Sequence, residues 1–305
     1  MEKITVQDLL QGGVHFGHQT YRWNPKMKPY VFGKRHGVTI FDLTITIRKL
    51  AEACNFLREV TADGGKVLFV GTKRQCQALM RQTAEETNMF HMTDRWLGGT
   101  LTNNKVIMTR VKRLKELRKM NEDGTLDAMP NKEEAEARRE LSKLEMTLGG
   151  IVGMPKLPDV MVVADIENDN IAVREANKKG IPVVAIVDSN CDPNMVDYPI
   201  PGNDDAVRSL KVIINGLKSA IIEGRSQASK EEGEEEQEAA EISAEEMQNT
   251  QESTSAETGS ATDQEQADQD QGSDETSETD QAGASESETA ATAAGEEQPA
   301  AEKQE

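Results

Sequence analysis

His18 stands three residues after His15 in a glycine-flanked turn, and Asp188, Asp192, Asp204 and Asp205 gather beyond the last apolar segments of the chain. An imidazole nitrogen with several carboxylate oxygens is a ligand set that suits zinc. His18, Asp188, Asp204 and Asp205 are therefore the candidate metal ligands; zinc is a possible cofactor, and none is required. Plainer roles compete, because Asn203 can cap a helix and Asp204 and Asp205 in a first helical turn are favoured by the dipole alone. A second candidate is Gly71-Thr72-Lys73-Arg74, where a phosphate could sit on a helix N-terminus. Neither GxGxxG nor GxxxxGK[ST] occurs, and Thr72 with Gln75 has capping-box spacing, so capping is the expected role of Thr72. Lys73 and Arg74 stay available to an outside phosphate. No serine or cysteine lies close enough to either histidine in sequence to suggest a nucleophilic pair, so no catalytic residue is assigned.

The strongest chemical signal is charge. Lys105, Arg110, Lys112, Arg113, Lys115, Arg118 and Lys119 face a single acid, Glu116, over a stretch that reads as a helix. Like charges at helical spacing repel by a few tenths of a kcal/mol per pair, so a binding role for this basic rod outweighs a merely solvated face. Upstream, Arg22, Lys26 and Lys28 are interleaved with Tyr21, Trp23 and Tyr30, and Arg95 opens the run Arg95-Trp96-Leu97-Gly98-Gly99. Basic and aromatic side chains in alternation suit nucleic acid, where charge meets phosphate and rings can stack.

These residues need elements to hold them. Ile107, Val111, Leu114 and Leu117 recur at spacings of four, three and three, and Leu141, Leu144 and Leu148 supply a second stripe after the breakers Asn121 to Thr125 and Pro130. The pattern predicts an antiparallel coiled-coil hairpin over residues 103–149, its first arm about 27 Å long at ~1.5 Å per residue. The second arm carries five acids and four basic residues, so the first is the expected RNA arm. Elsewhere strand and helix alternate. Helices are expected from Val6 to Gly12, Thr44 to Val60, Thr72 to Thr87, Asn170 to Lys179 and Asp204 to Glu223. Strands are expected at Val38–Phe41, Lys66–Val70, Phe90–Thr93, Asp159–Ala164, Pro182–Val187 and, at an edge, Tyr198–Ile200. The proline-rich stretch Tyr21 to Tyr30 reads as an extended loop. Apolar strands joined by crossover helices require a parallel sheet covered on both faces. The fold class is thus α/β, a three-layer, flavodoxin-like sandwich with a hairpin inserted after its third strand.

The net charge of −19 conceals two parts. Residues 226–305 hold 25 acids against two lysines, with Ile242 and Met247 as their only large apolar side chains. Such a segment cannot bury enough surface to offset chain entropy, and a disordered acidic tail is expected. Residues 1–225 are mildly basic and large enough for one α/β domain. Cys54, Cys76 and Cys191 form neither a CxxC pair nor a secretory framework, which points to thiols in a reducing compartment. No apolar run approaches 18 residues, so no membrane segment is expected and the location is read as cytoplasmic.

Leu9 to His18, Trp23 to Tyr30, Phe69 to Arg74, Arg95 to Gly99, Pro158 to Pro182 with Glu175 and Gly180, and Ile200 to Ala206 together resemble the bacterial small-subunit ribosomal protein S-two family. The resemblance is collinear over residues 1–225 and leaves the tail outside it. It implies a structural, non-enzymatic constituent of the 30S subunit, monomeric within the ribosome. It further implies contact with 16S ribosomal RNA between head and body, a hairpin reaching over that RNA, and a dock for the protein S-one, which handles messenger RNA. Residues alone reach an RNA-binding α/β protein with a helical arm; a nucleotide-dependent enzyme on the same sheet and a protein-only adaptor are the alternatives.

Overall fold

The computed structural model describes residues 4–228. Most of the expected acidic tail, 226–305, lies outside them. Helix α1 (Val6–Gly12) starts at a complete capping box in which Thr5 and Asp8 exchange bonds, and it stops because Gly13 turns left-handed at φ 74°. Strands β1 (Phe16–Gln19), β2 (Val31–Arg35) and β3 (Val38–Phe41) then form an antiparallel sheet of their own, in the order β1-β3-β2. Two of its three strands escape the apolar-run signal, being short and half exposed. The segment between β1 and β2 is also not the extended loop that its prolines suggest. Pro25–Tyr30 closes a 3₁₀ turn capped by Asn24, with Pro25 at the first position where a missing N–H costs nothing.

Helix α2 (Leu43–Ala62) leads into the main sheet, built from β4 (Val67–Val70), β5 (Phe90–Met92), β6 (Val160–Val163), β7 (Val183–Val187) and β8 (Tyr198–Pro201). Every pairing in it is parallel, in the order β5-β4-β6-β7-β8. Numbered within the sheet this is 2-1-3-4-5, a common doubly wound order. Helices α3 (Arg74–Thr87), α4 (Asn104–Glu122), α5 (Asn131–Leu148), α6 (Asn170–Lys179) and a last helix, α7, at residues 207–228 complete the description. The insertion of α4 and α5 follows the second strand of this sheet, since β3 belongs to the other one.

Side chains alternate along buried strands, and two cores result. Val67 and Phe69 face a cluster with Leu50, Leu57, Met80, Leu210 and Ile214, so α2, α3 and α7 cover that face. Leu68 and Val70 face the opposite cluster, which contains Val173 and Ala176 of α6 and reaches through Trp96 and Leu101 to Ile107, Val111, Leu114 and Leu148. The base of the α4–α5 pair therefore shares its apolar packing with the sheet, while Leu117 and Leu126 are buried farther out. Chain reversal takes place between Asp123 and Pro130.

Candidate functional site

Two groups of polar side chains stand apart from this packing. The first lies where β6, β7 and β8 end. Lys73, just before α3, extends its ammonium to Asp204 and Asp205, each at 2.8 Å, and to Asp165 at 3.1 Å. His18 Nδ1 lies 3.1 Å from Asp188 Oδ1, and its Nε2 lies 3.5 Å from Asp205. Asp188 is buried and also accepts backbone N–H groups from His18, Ser189 and Asp204, which ties β1 to two loops of the main sheet. The approach is close enough that a Cβ on Gly17 would meet Ser189 Oγ at 2.9 Å.

Four carboxylates, Asp165, Asp188, Asp204 and Asp205, thus surround one ammonium and one imidazole. Their titration follows burial. Asp204 is 1% exposed, and desolvation with repulsion from Asp165 and Asp188 pushes it up to about 7 against the pull of Lys73. Asp205 shares the same ammonium but is 56% exposed. Its smaller burial penalty is outweighed by Lys73, His18 and Arg22, and it is held below the carboxylate range. Lys73 itself is raised, the cost of desolvation being exceeded by its bonds to Asp204 and Asp205. The Asp188 carboxylate 3.1 Å from Nδ1 lifts His18 to about 9 despite its partial burial.

Three of the four expected metal ligands converge, while Asp205 stands at the opposite imidazole nitrogen, 3.5 Å from Nε2. Single donor atoms of His18, Asp188 and Asp204 lie within 4.8 Å of one another. The buried Nδ1 of His18 makes no hydrogen bond in spite of its nearness to Asp188. With its proton removed, this nitrogen beside carboxylates in excess fits a divalent cation. Asp192 is not part of the group, because it caps a 3₁₀ turn and pairs with Lys26.

Two expectations for the Gly71 segment change. Thr72 does not cap α3, whose N-cap is Lys73; its amide and hydroxyl both donate to Asp169 instead. Nor is Lys73 available to an outside phosphate, since three carboxylates hold it. Arg74 is exposed. Asp165 and Asp169 went unassigned in the sequence, although both follow an apolar strand at the end where parallel sheets gather ligands.

The second group is the helical pair. Arg113 reaches Glu140 at 3.2 Å, and Arg118 holds Glu145 through Nε at 2.9 Å. Acids of α5 therefore neutralise α4 cations at the seam. Lys105, Arg110, Lys112, Lys115 and Lys119 are exposed and have no ion-pair partner among the described residues. Spacings of seven, three and four put Lys105, Lys112, Lys115 and Lys119 on the outer face, opposite the buried stripe Ile107, Val111, Leu114 and Leu117.

The root of this pair is fixed by one carboxylate that the sequence reading left without a role. Glu175 of α6 accepts the Trp96 indole N–H at 3.2 Å, the Gly99 amide at 2.7 Å, the Leu101 and Thr102 amides at 3.0 and 3.1 Å, and the Thr102 hydroxyl at 3.0 Å. Gly99, at φ 93°, adopts a conformation that other residues resist.

Ribosomal protein S2 is the family whose description matches, over residues 9–224. The chain belongs to the ribosomal protein S2 family. Membership carries a structural role in the small ribosomal subunit, in translation, within a class that is not enzymatic and that associates with ribosomal RNA and other ribosomal proteins. The matched span includes the strand-end cluster, both helices of the pair and the Trp96–Glu175 contact. No helix among the described residues is long and apolar enough to cross a membrane.

Proposed function

We propose that this S2-family protein binds 16S ribosomal RNA between the head and body of the 30S subunit, with the α4–α5 pair acting as a coiled-coil arm. The observation that carries the reading is the outer face of α4, where Lys105, Lys112, Lys115 and Lys119 stand exposed and unpaired among the described residues. Such a face gains more from phosphate than from water, because each contact releases counterions. Arg22, Lys28, Arg74 and Arg95 are exposed as well and extend the basic surface onto the body; Lys26 is exposed but shared with Asp192. Sedimentation on sucrose gradients tests the reading: the protein co-migrates with 30S particles and stays there at moderate salt, and a Lys112→Glu/Lys115→Glu/Lys119→Glu variant is depleted from them. Equal occupancy by the variant removes the arm from RNA binding.

Docking of protein S-one rests on the family resemblance. Tyr21 and Phe32, both more than two-thirds exposed on or beside the small sheet, supply aromatic surface of the kind protein interfaces use.

A second reading, favoured by the donor atoms of His18, Asp188 and Asp204 lying within 4.8 Å of one another, places zinc on these three, with Asp205 as the outer member of the expected four. The ion would balance the surplus carboxylates and tie β1 to the loops that follow β7 and β8. Metal analysis of protein purified without chelator tests it, near-stoichiometric zinc being the expected result and absence of metal the result that returns these residues to latch and capping roles.

A further inference from the structure

Three cations of α5, Arg138, Arg139 and Lys143, line a cleft of about 640 Å³ between α5 and the Asp94–Arg95 turn. Its lining includes Arg95, Arg139 and Lys143, all exposed and without an ion pair among the described residues. The other charges there are already matched: Asp94 by Arg81 at 2.9 Å, and Arg138 by Glu134 at 2.7 Å and by Asp127. The cleft therefore keeps three positive charges and no free acid. Arg139 and Lys143 stand one turn apart, about 5–6 Å between their Cβ atoms, a step comparable with that between neighbouring phosphates. Between these cations and the helix end lies Met146, an apolar side chain left 62% exposed.

We propose that this cleft is a second RNA site, one that seats an unpaired stretch of ribosomal RNA. Arg95, Arg139 and Lys143 hold consecutive phosphates, and Met146 lies against a base or ribose. A shallow basic groove with an exposed apolar side chain offers a splayed-out base a surface to lie against, which the stacked bases of a duplex cannot use. The assignment rests on the RNA-binding reading but puts part of the contact on α5, the arm whose balanced composition argued against it. Two acids of α5, Glu140 and Glu145, pair with α4 and Glu134 pairs with Arg138, while none of the five α5 acids lines this cleft.

The test is filter binding of the full chain to a 16S ribosomal RNA transcript across a salt series. An Arg95→Gln/Arg139→Gln/Lys143→Gln variant is compared with Lys112→Gln/Lys115→Gln/Lys119→Gln, all at exposed positions. Loss of three single-strand phosphate contacts lowers the salt slope of the first variant by about 2, at ~0.7 per contact. A polyuridine strand competes for what the wild type gains over that variant, and a duplex of equal length does not. A wild-type slope in the first variant with a reduced slope in the second overturns the cleft assignment and leaves the α4 arm standing. Wild-type slopes in both variants overturn the RNA reading itself, and effective competition by duplex overturns the unpaired-strand assignment.

Discussion

The carboxylate of Glu175 accepts the Trp96 indole N–H at 3.2 Å, joining α6 to the turn that launches α4. Five donors converge on this one side chain: the Trp96 indole N–H, the amides of Gly99, Leu101 and Thr102, and the Thr102 hydroxyl. The direction of the arm is thus set by a residue on a different helix.

Replacing Glu175 tests that dependence. Glu175→Ala strands several buried donors, and bonds to charged groups contribute about 1.5–3 kcal/mol each without adding fully. A loss of ~3–5 kcal/mol in urea unfolding is expected, with a smaller loss for Glu175→Gln, which keeps one acceptor oxygen. Burial alone would raise the Glu175 carboxyl, but the N–H groups of Gly99, Thr102, Trp96 and Leu101 outweigh it and the net direction is down. For a depressed acid the stabilisation is present above the ordinary glutamate value of 4.5 and is lost as pH falls through the lower folded value. Wild-type stability should therefore fall faster in acid than that of Glu175→Gln. Parallel acid profiles would show that the carboxylate charge is not what holds the turn.

Much of this architecture is legible in the sequence, and the gaps have physical causes. Strands β4, β6 and β7 announce themselves as apolar runs because both faces are covered, and Gly13 and Gly180 mark helix ends where the backbone turns left-handed. Strands β1 and β2 carry no such run, since one face of a small exposed sheet needs little apolar surface. The basic face of α4 shows in composition. That of α5 does not, because counting charges along an arm cannot say which acids turn toward the partner helix. Lys73 shows the same limit: a lysine two residues after a strand-end glycine suggests phosphate, and only the fold brings three carboxylates to it.

The seam between α4 and α5 makes a directional prediction. Arg118→Glu would set a carboxylate against Glu145, and Arg113→Glu one against Glu140. Exposed pairs contribute only ~0.2–1 kcal/mol each, so the double reversal should lower the melting temperature by a few degrees at low salt, less at high salt. Adding Glu140→Arg and Glu145→Arg should restore it. If the fourfold variant is no more stable than the double one, these pairs do not hold the arms together.

The His18–Asp188 pair predicts a response to alkali in metal-free protein. Asp188 raises His18 to about 9. A group with a raised folded value stabilises fully below its unfolded value of about 6.5 and loses that contribution as pH climbs through 9. Unfolding free energy should thus decline between pH 6.5 and 9, and His18→Gln should flatten the decline. A histidine resonance titrating near 6.5 in the folded protein would refute the shift.

Lys73 supplies the last prediction, because it is the resident cation of the strand-end cluster. Removing its charge in Lys73→Met leaves Asp165, Asp188, Asp204 and Asp205 facing one another with His18 and, for Asp205, Arg22 to offset them. Breaking a buried ion pair from one side typically costs ~3–5 kcal/mol; exposure of Asp205 and proton uptake by Asp204, already pushed up to about 7, should reduce that cost. The variant should therefore be least destabilised near pH 5, where Asp204 can take up a proton, and most destabilised above pH 8. If a divalent ion can also occupy the cluster, zinc should restore more stability to Lys73→Met than to wild type, since it would replace the missing charge. The measurement is the melting temperature of both proteins at pH 5 and pH 8, with zinc or with chelator. A destabilisation independent of pH and untouched by zinc would mean that Lys73 serves through the packing of its stem alone.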